Sequence, residues 1–252
     1  EYLVIWTTTP WTLPANTFIM ARGDATYVKV KVGDEILIMA EQAVERVMRE
    51  AGIKEYQIFG KMLGRDLEGV EYDHPLEDII PLQSILKNYH RVVIADRFVS
   101  LEEGTGLVHA APGHGPEDFE VAREKGFPIY SPLDDSGRFT KEAGRYAGIG
   151  ARDANKEIIE DLRSRGALLA YSKIFHRYPV CWRCKTPLLL RATKQWIIRT
   201  SALRSLALEE ASKVKWIPRW GLDRMRPLLE GMQDWVISRQ RFWGVPLPIW
   251  IC

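Results

Sequence analysis

Apolar positions in this chain come in short runs broken by glycine, proline and charged residues, the rhythm of short strands mixed with a few helices. Residues 2–5 (Tyr-Leu-Val-Ile) form an apolar run that opens into a threonine-rich stretch. Residues 27–32 alternate weakly and residues 35–40 are apolar, with Gly33 and Asp34 between them, so a hairpin is expected. Residues 41–51 carry apolar side chains at helical spacing (Ala43, Val44, Val47, Met48) and stop at Gly52. Strands are expected over residues 55–60 and 91–99, with a turn-rich connection over 61–69. Helices are expected over 116–125, ending at Gly126, over 151–165, with Ile158, Ile159 and Leu162 on the buried face, and over 201–211. No repeat and no low-complexity tract is visible.

With 252 residues the chain has room for one large domain or two small ones. It contains no apolar run of the roughly 18–20 residues that a bilayer span needs. The N-terminus lacks a basic flank, a separate apolar segment and an initiator Met, so the chain reads as a piece of a longer protein without a signal peptide. The net charge of +2 hides an asymmetry: residues 1–172 hold 20 basic and 28 acidic residues, and residues 173–252 hold 15 basic and 5 acidic. The basic end suits nucleic acid or a phosphorylated ligand, and equally a solvated face or contact with other parts of a parent protein. Tryptophans also gather there (Trp182, Trp196, Trp216, Trp220, Trp235, Trp243, Trp250), and a boundary is expected near residues 172–180. Three cysteines make no disulfide framework, which points to a reducing, cytoplasmic setting.

Three stretches carry candidate chemistry. Residues 104–118 (GTGLVHAAPGHGPED) crowd glycines, prolines, two histidines and two acids onto one irregular segment, where ligand and catalytic groups tend to sit. Asp118 falls in the first turn of the expected helix; it either caps that helix or anchors a ligand ammonium. His109 and His114 are ligands, bases or structural histidines. Residues 6–16 (WTTTPWTLPAN) either end a strand or offer Thr7, Thr8, Thr9, Trp11 and Asn16 to a polar ligand, since a hydroxyl both donates and accepts. Cys181 and Cys184 have the spacing of half a tetrahedral zinc site, and a redox pair is the rival. His176 is a poor fourth ligand, and Cys252 is far along the chain.

Together with CWRCKTPL at 181–188 and DWVISRQRFWGVPLPIW at 234–250, these stretches resemble the isoleucyl-tRNA synthetases, in the family's order and over the whole chain. Thr8-Thr9-Pro10 stands where valyl and leucyl relatives typically carry Thr-Arg-Pro. The resemblance implies a mixed α/β fold: a β-rich, barrel-like editing domain with peripheral helices over residues 1–175, then a zinc-ribbon-like connection and a partial Rossmann-type segment of the synthetic domain over residues 176–252. It implies hydrolysis of valyl-tRNA(Ile), and of valyl-adenylate as a further candidate substrate. The implied catalytic residues are Asp118, Thr8, Thr9 and His109, with Thr7, Trp11, Asn16 and His114 binding substrate. The partner would be the tRNA(Ile) 3′ end, the chain a monomer, and no membrane would be involved. A structural zinc would use Cys181 and Cys184 with ligands from outside the chain; ATP and Mg belong to the parent enzyme, because the His-Ile-Gly-His and Lys-Met-Ser-Lys-Ser signatures are absent. Residues 238–244 resemble part of a synthetic-pocket wall. Two alternatives remain open: a zinc-stabilised tRNA-binding module without catalysis, and a piece of ligase body with no isolated activity.

Overall fold

The computed structural model describes residues 1–175, 177–240 and 244–251. His176, Cys252 and the Arg241, Phe242 and Trp243 portion of the 238–244 segment lie outside the described residues. The chain divides into two compact units, Glu1–Ala192 and Thr193–Cys252.

In the first unit, strands β1 (Tyr2–Leu3), β2 (Phe18–Ala21), β3 (Thr26–Val32) and β4 (Glu35–Ala40) are followed by helix α1 (Val44–Glu50) and strand β5 (Gln57–Leu63). Then come α2 (Pro81–Leu86), β6 (Val92–Ile94), β7 (Leu107–Ala110), α3 (Pro116–Lys125) and α4 (Asn155–Ser164). One sheet has the order β1-β4-β3-β5 and the other β6-β2-β7. β1 runs parallel to β4 and β2 parallel to β6; the other pairings are antiparallel. The expected hairpin is β3–β4, closed by a two-residue turn in which Gly33 takes φ 58°.

The barrel-like expectation needs correction: the β structure is two open sheets, of four and three strands, not a closed barrel. Closure requires paired edges, and β5 is an edge whose register shifts opposite Lys29 and Val30 and whose Ile58 and Phe59 face outward. β5 also runs through Leu63, into the stretch expected to be turn-rich. The strand expected over 91–99 ends at Ile94, because the chain turns at Asp96, whose carboxylate accepts the Gly23 N–H at 2.6 Å.

Three apolar clusters hold this unit. Val28, Val30 and Met39 pack with Val44 and Met48 of α1. Trp11, Leu76, Ile80 and Leu86 pack with Tyr146, Ile158 and Leu162, joining α2 and α4. Phe18, Met20 and Val93 pack with Val121 and Ala122, seating α3 on the three-stranded sheet. Each large side chain so buried contributes about 1.5–3 kcal/mol. α3 begins with Pro116 and two acids, ends with Arg123 and Lys125, and stops at Gly126 in the left-handed region, φ 70°. α4 starts at Asn155, later than the spacing suggests, because residues 151–154 form a turn closed by the Ala154 N–H on the Gly150 carbonyl.

The second unit pairs β8 (Ile197–Ile198) with β9 (Trp235–Val236) in antiparallel fashion and carries α5 (Arg204–Lys213) and α6 (Gly221–Glu230). The helix expected over 201–211 is a 3-10 turn, Ser201–Leu203, running into α5. Helix α6 escapes sequence reading because Pro227 interrupts its pattern. The Rossmann-type expectation is not realised among the described residues of this unit, since strands of two residues build no parallel layer.

Candidate active site

The threonine-rich stretch folds as a 3-10 turn, Pro10–Ala15, between β1 and β2. Pro10 opens the turn, the Trp11 N–H donates to Asn155 Oδ1 at the head of α4 (2.8 Å), and the Asn16 N–H donates to the Leu13 carbonyl. β2 then pairs with β7 in a register that sets Phe18 opposite Ala110 and Ile19 opposite His109. That register brings the two loops together from about a hundred residues apart.

His109 is buried at the join. Its Nε2 meets Thr12 Oγ1 at 2.7 Å and its Nδ1 meets Asn16 Nδ2 at 3.1 Å. Asn16 Nδ2 also faces the carbonyls of Phe18 and Ala110, so the amide nitrogen, not its oxygen, points at the ring. Nδ1 therefore accepts and Nε2 carries the proton. Burial, reinforced by neighbouring His114, holds the imidazole down at about 4, so it is neutral at pH 7. The Thr12 hydroxyl donates to the Thr9 carbonyl (2.8 Å), with Thr9 Oγ1 3.3 Å away and Thr7 Oγ1 3.4 Å beyond that. Thr8 is exposed, and among the described residues no hydrogen bond ties down its hydroxyl.

Asp118 lies in the first turn of α3, and its Oδ2 accepts the Ala111 N–H at 2.8 Å, immediately after the β7 residue that pairs with β2. It caps no N-terminal amide of its own helix. Burial pushes its carboxyl up to about 6, against the lowering effect of the Ala111 N–H, while Glu117 adds to the rise. A Cβ on Gly115 would stand 2.7 Å from Asp118 Oδ2, and one on Gly113 2.0 Å from the Tyr130 carbonyl oxygen. Both glycines are thus demanded by close approach, the first to the carboxylate itself.

His114 donates from Nδ1 to the Leu190 carbonyl (2.9 Å) and sets its ring edge-on to Trp11, centroids 5.0 Å apart. Burial lowers its pKa. Trp11 is itself a core residue, 3% exposed, so it shapes the turn from beneath. The structure thus joins Thr7, Thr9, Asn16 and His109 in one network, ties His114 to Trp11, and holds Asp118 against the β7 end of the same loop. Asp118 makes no direct hydrogen bond to the threonines. Two surface clefts, about 550 Å³ beside Arg22, Thr26 and Glu41 and about 500 Å³ beside Phe119 and Arg123, contain none of the threonine–histidine network.

Sequence reading missed Thr12, Tyr72, His74, Gln83 and His90. The Tyr72 hydroxyl donates to Asn16 Oδ1; His74 Nε2 meets the Leu13 carbonyl at 3.2 Å; Gln83 Nε2 donates to the carbonyls of Pro14 and Asn16 and is backed by His90. The segment from Tyr72 to His90 clamps the underside of the threonine turn. Burial holds His74 down at about 3, with His90 and His109 adding to it. Only Thr12 had a local signal, its place three residues after Thr9 in the same run.

Cys181 and Cys184 sit in a tight turn that Lys185 follows at φ 61°, and the Cys181 N–H bonds the Thr186 carbonyl. A hydrogen bond with Thr186 is the main cause that brings the Cys184 thiol down to about 7. The pair has the spacing of half a tetrahedral zinc site, and no third His, Cys, Asp or Glu joins it among the described residues.

A family model described as tRNA synthetases class I (I, L, M and V) matches residues 9–252. The chain belongs to that family of class I tRNA synthetases. Along its whole length this synthetase chain is 55% identical to the isoleucine–tRNA ligase of Sulfolobus acidocaldarius, covering 24% of that protein, and 47% identical to the isoleucine–tRNA ligase of Methanothermobacter marburgensis, covering 23%. It spans about a quarter of the length of these relatives. The fold is shared with GlLeuRS-CP1, whose crystal structure matches with a TM-score of 0.52 over 69% of this chain and 85% of that one, at 19% identity. No helix among the described residues is long and apolar enough to cross a membrane.

Proposed function

We propose that this synthetase chain carries the editing site of an isoleucine-specific enzyme and hydrolyses valyl-tRNA(Ile). The observation that carries the reading is the convergence, through the β2–β7 register, of a hydroxyl row, a neutral buried histidine and a half-buried carboxylate from segments about a hundred residues apart. Isoleucine and valine differ by one methylene, which a synthetic pocket separates by only about 1–3 kcal/mol, the standard illustration of why a second, hydrolytic site is needed. Residues 1–175 are assigned this role.

In the reaction, water adds to the ester carbonyl, the bond from the acyl carbon to the terminal ribose oxygen breaks, and the proton ends on that oxygen, giving valine and tRNA. Asp118 pairs as carboxylate with the α-ammonium and fixes the ester. Thr8, whose side chain is exposed, and Thr9 hold the ribose and the attacking water. Thr7 and Asn16 set the adenosine side, and His114 and Trp11 support the wall of the side-chain pocket. His109, neutral with both ring nitrogens committed, positions the threonines. An ester needs little further activation once water is placed against it. Cys181 and Cys184 would contribute two thiolates to a structural zinc completed from outside the chain, and the basic second unit would face tRNA.

Asp118→Ala tests the anchor. Deacylation of valyl-tRNA should fall by roughly 10- to 100-fold, the worth of a bond to a charged group. An unchanged rate in a folded variant refutes the anchor. Thr9→Ala should raise hydrolysis of isoleucyl-tRNA relative to valyl-tRNA; an unaltered ratio removes Thr9 from size selection.

A further inference from the structure

We propose that Arg191 is a positioning residue for the Asp118 carboxylate, acting through Gly113 and His114, which its own segment holds in place. That Asp118 meets a substrate ammonium rests on the editing reading above; the placement of its carboxylate rests on geometry. Two points of loop backbone touch Asp118 Oδ2. The Ala111 N–H donates to it at 2.8 Å, and Gly115 lies so close that an added Cβ would stand 2.7 Å away. The two points are tied to each other, because the Ala111 carbonyl accepts the His114 N–H at 2.8 Å and the Gly115 N–H at 3.2 Å. Gly113 and His114 lie between them, so a shift of that pair moves the seat of the carboxylate.

Residues 190–192 grip the pair twice. The Ala192 N–H donates to the Gly113 carbonyl at 2.8 Å, and His114 Nδ1 donates to the Leu190 carbonyl at 2.9 Å. Arg191 stands between these two grips and fixes them to the core. Its guanidinium donates to the Leu133 carbonyl at 3.0 Å and pairs with Asp135, and Leu133 is buried in the same apolar cluster as Trp11. A guanidinium holds two acceptors in a rigid fork; an ammonium does not. Burial holds His114 below its ordinary pKa, against the raising effect of the Leu190 carbonyl, and the Arg191 cation adds to the lowering. Among the described residues Arg191 makes no hydrogen bond to Asp118 itself, so it acts through the loop.

The test compares Arg191→Met with the wild type in the full 252-residue chain. The first readout is the Ala111 amide proton, whose chemical shift follows the titration of Asp118 through their hydrogen bond and is assigned by Asp118→Asn. That step should be present in the wild type and largely lost in Arg191→Met. A full-sized step in the folded variant, or no step in the wild type, overturns the proposal. The second readout is kcat/KM for a valyl ester against the isovaleryl ester of the same alcohol, which lacks the amino group. The preference for the valyl ester should fall about tenfold in Arg191→Met, the worth of a bond to a charged group, and should not change further in an Asp118→Ala background. Equal losses for the two esters would mean structural support alone and overturn the proposal. If Arg191→Met does not fold, Arg191→Lys, which keeps the cation without the fork, replaces it. A fall of about threefold in the valyl preference is then expected, and an unchanged preference with an unchanged Ala111 step overturns the proposal. The amide readout holds whether or not the chain hydrolyses esters, so a failure of the editing reading shows separately, as no hydrolysis of either ester by the wild type.

Discussion

Asp118 is the residue at which stability and the proposed chemistry pull in opposite directions. Its folded pKa of about 6 lies above the ordinary 3.8. A carboxyl raised in this way stabilises the fold fully below about 3.8, and that contribution is lost as pH rises through about 6. The difference corresponds to roughly 3 kcal/mol. Asp118→Asn, which keeps an acceptor for the Ala111 N–H, should therefore be more stable than wild type above pH 6 and equal to it near pH 4, read by denaturant unfolding at both pH values. Greater loss of stability at pH 7 than at pH 4 would contradict the buried-charge argument. The same titration should make kcat/KM for a valyl ester fall about tenfold per pH unit below about 6, because the protonated acid no longer holds an ammonium. Gly115→Ala is the companion change: its new methyl would sit 2.7 Å from Asp118 Oδ2, and the carboxylate, being a side-chain end, can swing aside. Hydrolysis should drop about tenfold with Tm nearly unchanged; undiminished hydrolysis would show that the carboxylate's place does not matter. The glycines, the acid and the threonines announce themselves locally in the sequence. Tyr72 and Gln83 do not, because their roles are hydrogen bonds to partners 56 and 69 residues away.

Among the elements, the β2–β7 pair and α3 decide the site. β2 and β7 are four-residue strands, and their antiparallel register alone places His109 over the threonine turn. Helix α3 was legible to its ends because Pro116, the acids and Gly126 punctuate it. The pairing of β2 with both β6 and β7 was not legible, since short apolar runs carry no mark of their partners. The segment after α4 also supports the loop: the Ala192 N–H bonds the Gly113 carbonyl, His114 bonds Leu190, and Arg191 bonds the Leu133 carbonyl. Compactness accordingly runs to Ala192. A chain of residues 1–192 should melt several degrees above a chain of residues 1–175 in calorimetry, since each lost bond to the loop is worth about 1 kcal/mol. Equal melting temperatures would show that residues 176–192 add nothing to the loop.

At the scale of the whole molecule, the chain is a class I synthetase piece about a quarter as long as its relatives, with a fold shared with GlLeuRS-CP1. The acidic first unit builds the threonine–histidine–aspartate site from its own residues. The second unit exposes Trp196, Trp220, Trp235 and Trp250 and carries 10 basic against 5 acidic residues. The composition shift of the sequence marks this contrast, while two open sheets in place of a barrel could not be read from it. The most direct test is hydrolysis of valyl-tRNA(Ile) and isoleucyl-tRNA(Ile) by the 252-residue chain, measured side by side under single-turnover conditions. Rapid release of valine with isoleucyl-tRNA left at least tenfold more stable is the predicted result; equal rates for the two esters, or no hydrolysis of either by the folded chain bound to tRNA, would contradict the account.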